Sequence, residues 1–188
     1  MRYPQRGFSL LEVLIAVLVL ALGVIAASGT QLAALRTRQG SVLLSNGVQL
    51  ASALADRMRA NAAQAQLSDA LNPYLKLRYD AARDGAPPPS APLCHSDACS
   101  SAQLAAFDLF EVKQALHLGY PAGRVLVCRD GAAAVLPGHA LTWDCTGAAN
   151  APIVIKLGWH GKQADGSDAR DDAGQFPPVL ALVAGGAP

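Results

Sequence analysis

The apolar positions divide the chain into a continuous apolar run, an amphipathic stretch, a proline-rich segment, a second amphipathic stretch and several short alternating runs. Between Gly7 and Leu35 the only charged residue is Glu12. As a helix, Val13 to Leu35 would span about 35 Å, enough to cross a hydrocarbon core of about 30 Å. Beyond Gly40 the pattern turns amphipathic. Leu44, Val48, Ala51, Ala55 and Met58 recur at three- and four-residue steps, and Leu50 and Leu54 widen the apolar face. Asp56, Arg57 and Arg59 mark the polar side, where a solvated face is the expected role of the arginines. No proline occurs from Arg6 to Leu71, so the pattern predicts one long helix ending near Asn61. Gly23, Gly29, Gly40 and Gly47 each cost roughly 1 kcal/mol against Ala and predict local curvature or melting.

Residues 62–99 are rich in Ala, Pro, Asn and Asp, and "GAPPPSAP" at 85–92 reads as an extended loop. Tyr74, Leu75, Leu77 and Tyr79 suggest a short element pinning this stretch to the body. Ser100 with Gln103 forms a capping box ahead of an apolar-periodic helix through Leu104, Phe107, Leu109, Phe110, Val112 and Leu116 to about Leu118. Gly119 and Pro121 end it. Strand-like runs follow at 124–129, 140–145, 152–160 and 178–184, separated by Gly, Pro, Asn and Asp clusters. The expected fold is α+β, with a small antiparallel sheet packed on the long helix.

Composition narrows the functional classes. The chain has 188 residues, a net charge of +1 and only 15% charged residues, so no strongly basic field points to nucleic acid. All four cysteines, Cys94, Cys99, Cys128 and Cys145, fall in the second half, beyond an export-type amino terminus. That placement favours disulfides. Of the three possible pairings, Cys94–Cys99 and Cys128–Cys145 are favoured. The first would staple the loop before the capped helix, and the second would join neighbouring strands. The crossed pairings stay open on sequence alone.

Cys94, His95 and Cys99 have a spacing found in zinc sites, but an exported chain favours disulfides, so neither a metal nor a cofactor is expected. His117 is expected to end a helix, His139 lies in a turn-like "PGHA", and His160 stands apart. No Gly-x-Ser-x-Gly and no free cysteine is evident, so no enzyme emerges. The acidic "DGSDARDDAG" at 165–174 lacks the closing glutamate of an EF-hand and reads as a solvated hairpin loop; Ca²⁺ binding there stays open.

Glu12 is the anomaly. A charge near the middle of a membrane helix costs roughly 2.5–3.5 kcal/mol on insertion scales. A cleavable secretory signal has an uncharged core of about 7–15 residues, shorter than this run, and neither it nor a plain anchor explains the carboxylate. "RGFSLLE", residues 6–12, resembles the class III signal of type IV pilins and their relatives. The resemblance implies cleavage between Gly7 and Phe8 by a prepilin peptidase, N-methylation of Phe8, and pairing of the new amine with Glu12 of a neighbouring subunit. "DRMRAN" at 56–61 and "CSSAQLAAFDLFEVKQAL" at 99–116 further resemble PilV-type minor pilins, the type IV pilus modification proteins.

By this resemblance residues 1–7 are a leader, 8–61 a long helix with a transmembrane first half, and 62–188 a periplasmic α+β head. Arg2 and Arg6 put the amino end in the cytoplasm. The implied role is a minor pilin of the bacterial inner membrane, incorporated into a type IV pilus and helping to initiate its assembly, with effects on adhesion, twitching motility or DNA uptake. Its partners would be other minor and major pilins, the prepilin peptidase and the inner-membrane assembly machinery, with no nucleic acid. A type II secretion pseudopilin is the nearest alternative, and a pilin-anchored DNA- or ligand-binding surface protein is the alternative of another class.

Overall fold

The computed structural model describes residues 9–90, 92–132, 141–162, 165–170 and 174–185. One helix, α1 (Leu10–Ala60), makes up most of the amino-terminal third of the chain. The Ser9 hydroxyl accepts from the Leu11 amide at its start, and the Asn61 amide closes it on the Arg57 carbonyl. The helix passes unbroken through Gly23, Gly29 and Gly40, so no melting occurs at the glycines. The hydroxyls of its apolar half are satisfied within the helix. Ser28 donates to the Val24 carbonyl, Thr30 to Ala27, Thr37 to Ala33 and Ser41 to Thr37, which leaves no bare hydroxyl on the apolar surface.

After a one-turn helix α2 (Ala62–Ala65) and a 3₁₀ turn at Tyr74–Lys76 come β1 (Arg78–Asp80), the short helix α3 (Ala81–Asp84) and α4 (Ser101–Gly119). Three strands complete the head: β2 (Arg124–Arg129), β3 (Ile153–Gly158) and β4 (Leu180–Gly185). The sheet order is β1-β2-β3-β4, and every pair is antiparallel. The chain therefore has a long amino-terminal apolar helix packed on a small four-stranded antiparallel sheet, an α+β architecture. The capping box of α4 is complete, with Ser100 and Gln103 satisfying each other's backbone amides.

Alternation along the strands divides the sheet into two faces. Val125, Val127, Ile153, Ile155 and Leu157 turn toward α1 and α4 and join Leu54, Ala55, Met58, Val112 and Leu116 in the core. On α1 the buried line is Gly47, Ala51, Leu54, Ala55 and Met58, whereas Leu44 and Val48 are exposed. The reason lies at Gly47: a Cβ there would stand 3.0 Å from the Trp159 ring. The small residues Gly47, Ala51 and Ala55 let the head approach, and Leu44 and Val48 fall to one side of that contact.

The run 140–145 is not a strand. Ala140 lies outside the described residues, and 141–145 cross the outer face of the sheet as an irregular strap. Its carbonyls at Thr142 and Asp144 accept from the Lys156 ammonium of β3, and the Trp143 indole donates to the Phe176 carbonyl at 2.9 Å. A side chain, not a neighbouring backbone, takes its acceptors, so no ladder forms. Cys145 therefore does not sit on a strand beside Cys128; it lies above it. The short element expected around Tyr74–Tyr79 is a 3₁₀ turn followed by the edge strand β1, which pairs Tyr79 with Val125.

Candidate functional site

Two surfaces are candidates for function: the bare half of α1 and the head packed against its other end. From Leu10 to Ile25 every large apolar side chain of α1 is exposed, and the helix is long and apolar enough to cross a membrane. Glu12 lies in its first turn, where a negative charge complements the helix dipole. Among the described residues Glu12 has no ion pair. Gly7 and Phe8 lie outside the described residues.

In the head two cross-links close, Cys94–Cys99 and Cys128–Cys145, and no described cysteine is free. The second ties β2 to the strap. Beside it stands a buried ion pair: Lys156 Nζ lies 2.6 Å from Asp130 Oδ2, each side chain 3% exposed. Burial pushes the Asp130 carboxyl up, but its bonds with Lys156 and the Ala132 amide outweigh that and hold it below the usual range. Sequence reasoning missed this pair; the signal that could have found it is the lone lysine in the apolar run "PIVIKLGWH", since a charge inside a fully buried strand needs a partner.

The segment "DRMRAN" closes on α4. Arg57 pairs with Glu111 and stands 3.5 Å from Asp108, so it reaches across to α4 while its own side chain stays 40% exposed. Arg59 instead pairs with Asp56 on the surface. Asn61 donates to the Tyr74 hydroxyl at 3.1 Å and to the Ser101 carbonyl at 2.8 Å. The Tyr74 hydroxyl in turn donates to Asp108 at 2.9 Å. Burial raises the Asp108 carboxyl, opposed by Tyr74 and Arg57, and burial with the Asp108 bond raises the Tyr74 phenol. The two segments quoted above for their PilV likeness are thus one interlocked contact, which fixes how α4 sits on α1.

The histidines do not converge. His95 lies against Phe107, His117 occupies the last turn of α4, and His160 stacks on Phe176; His139 lies outside the described residues. Among the described residues no cluster of His, Cys, Asp and Glu is arranged to hold a metal. In the acidic loop, Asp168 bridges Lys162 and Arg170, and its backbone pairs with that of Lys162; residues 171–173 lie outside the described residues.

Two family models match the chain. That of the prokaryotic N-terminal methylation motif covers residues 2–28, and that of the type IV pilin Tt1218 covers residues 29–110. No curated protein and no solved structure matches. The first match takes in the start of the apolar helix, as membrane anchoring requires, and the second takes in the rest of α1 and half of α4. Together with the fold, they make this chain a structural subunit of the type IV pilin-like family.

Proposed function

We propose that this chain is a minor pilin of PilV type, which helps to initiate a type IV pilus and is incorporated into it. The observation that carries this reading is the interlock of "DRMRAN" with α4 through Arg57, Asn61, Tyr74 and Asp108. It gives a structural purpose to the segments that separate this chain from general pilin relatives, and it weighs against a type II secretion pseudopilin. Residues 1–7 act as leader, 8–61 as the helix with a transmembrane first half, and 62–188 as a periplasmic head. Prepilin peptidase cuts between Gly7 and Phe8. The methylated amine of Phe8 then meets Glu12 of an adjacent subunit, and the two opposite charges offset each other's cost in an apolar surrounding. Other minor and major pilins and the inner-membrane machinery are its partners.

The test is the amino-terminal peptide of the protein recovered from its native membrane, read by mass spectrometry. A peptide starting at Phe8 with one added methyl supports the reading, and a start near Ala27 removes it. Deletion then assigns the filament: lost piliation marks a minor pilin, lost exoprotein export a pseudopilin, and intact pili with poor DNA uptake a surface binder.

A further inference from the structure

A cleft of about 310 Å³ opens on the outer face of the sheet, where Asp80, Arg124 and Gly158 stand in one row across β1, β2 and β3. Arg83 and Arg170 also line it, together with Trp143, His160 and Phe176. Two of its three guanidiniums have a carboxylate: Arg83 is 3.7 Å from Asp80, and Arg170 is 3.3 Å from Asp168. Arg124 has none within ion-pair distance among the described residues. It is half-buried and held flat, its Cζ 4.1 Å from the centre of the Trp143 ring. Burial lowers its guanidinium from the ordinary arginine range, Arg83 and Arg78 push the same way, and Asp80 opposes them. The group stays cationic nonetheless.

The aromatic rings are already engaged. Trp143 carries Arg124 on its face and presses an edge on Gly158, where a Cβ would come within 2.8 Å. Phe176 stacks on His160 at 3.7 Å and carries Arg170 at 4.3 Å. Each ring already carries a guanidinium, so its role here is to hold a cation in place. Among the described residues, the cleft presents one pre-oriented guanidinium with no carboxylate at ion-pair distance. A single carboxylate neutralises it, and the planar fork matches a carboxylate bidentately. Among the described residues the two ion pairs leave one positive charge, less than a phosphate monoester or a row of phosphates would bring.

We infer that this cleft receives the carboxylate of an acidic side chain on a neighbouring protein subunit, with Arg124 as the pairing group and Trp143 as its support. The inference rests on the pilin reading for the nature of the neighbour, because a filament subunit is surrounded by other subunits. The strap that carries Trp143 is fastened by Cys128–Cys145 and by Lys156, so the cleft is built before the neighbour arrives.

The experiment uses the full chain in detergent micelles and follows tryptophan emission during titration with a capped Gly-Glu-Gly peptide. Its Gly-Gln-Gly counterpart and inorganic phosphate serve as the other probes. Saturable binding of the Glu peptide, at least five-fold weaker in Arg124→Gln and absent for the Gln peptide, is expected. Arg124→Lys keeps the charge without the fork and should bind at an intermediate level. Equal responses to the Glu and Gln peptides, phosphate binding as tight as the Glu peptide, or unchanged binding in both variants would overturn the inference. In cells, Arg124→Glu should leave the Phe8 amino terminus intact and lower the chain's content in sheared pili at least five-fold. Normal content would overturn the docking role. A wild-type chain that does not begin at Phe8 would instead remove the pilin reading, while the titration still reports on the cleft.

Discussion

Replacing Lys156 by Met removes the one cation that pairs with Asp130 among the described residues. Asp130 stays 3% exposed and loses a partner at 2.6 Å, and breaking a buried pair from one side costs about 3–5 kcal/mol. Lys156 also donates to the Thr142 and Asp144 carbonyls in part-buried bonds, whose loss adds to that cost. With a urea slope of about 2 kcal/mol/M, the unfolding midpoint should fall by about 2 M. Adding Asp130→Leu removes the stranded charge and should recover much of that loss.

The dependence on pH gives a second, independent sign. In the parent, the Asp130 carboxyl is held below its unfolded value of about 3.9. The stability it adds is therefore complete above about pH 4 and is lost as pH falls through the folded value. Without Lys156 the upward push of burial prevails, so the folded state binds the proton more tightly. Relative to the parent, Lys156→Met should then gain stability as pH falls toward 5. Urea melts at pH 7 and pH 5, followed by the emission of Trp143 and Trp159, read both effects. A Lys156→Met midpoint within 0.5 M of the parent at pH 7, with no gain relative to the parent on acidification, would refute the reasoning.

Tyr74→Phe takes a hydroxyl from both Asp108 and Asn61 and should cost about 1–3 kcal/mol, measured in the same melts, with the membrane-inserted fraction unchanged. Cys128→Ala with Cys145→Ala opens a separation of 17 residues and should cost about 3 kcal/mol, against about 2 for the five-residue Cys94–Cys99 closure, on the chain-entropy argument. Gly158→Ala drives a methyl against Trp143 and the Pro177 carbonyl and should lower stability by about 1–3 kcal/mol, with a visible change in tryptophan emission. Glu12→Gln should leave insertion and processing intact while pilus incorporation, scored in sheared filaments, drops several-fold.

What the sequence made legible was local. The cap of α4 rests on Ser100 and Gln103, three residues apart, and α1 rests on an unbroken apolar and then amphipathic pattern, so both are readable without tertiary knowledge. The strap was not. Leu141, Trp143 and Cys145 alternate as a strand does, but alternation reports which side chains face a surface and not what the backbone bonds to. Here the bonding partner is Lys156, fourteen residues from Thr142 in the chain. Leu44 and Val48 satisfied the helical period equally well as a buried face; only the ring of Trp159 against Gly47 decides otherwise. Arg124 looked like an ordinary strand terminus until Trp143 was placed over it.

The Cys128–Cys145 bond also has a mechanical meaning. A filament subunit is pulled from its helix, and a chain under tension lengthens by the contour its fold releases. A bridge between residues 17 apart withholds about 60 Å of that contour, at about 3.5 Å per residue. With the bond closed, the residues between Cys128 and Cys145 cannot be drawn out. Stretching one subunit by its ends should therefore give a contour about 50 Å shorter when oxidised than when reduced, once the 6.3 Å spanned by the bridge itself is allowed for.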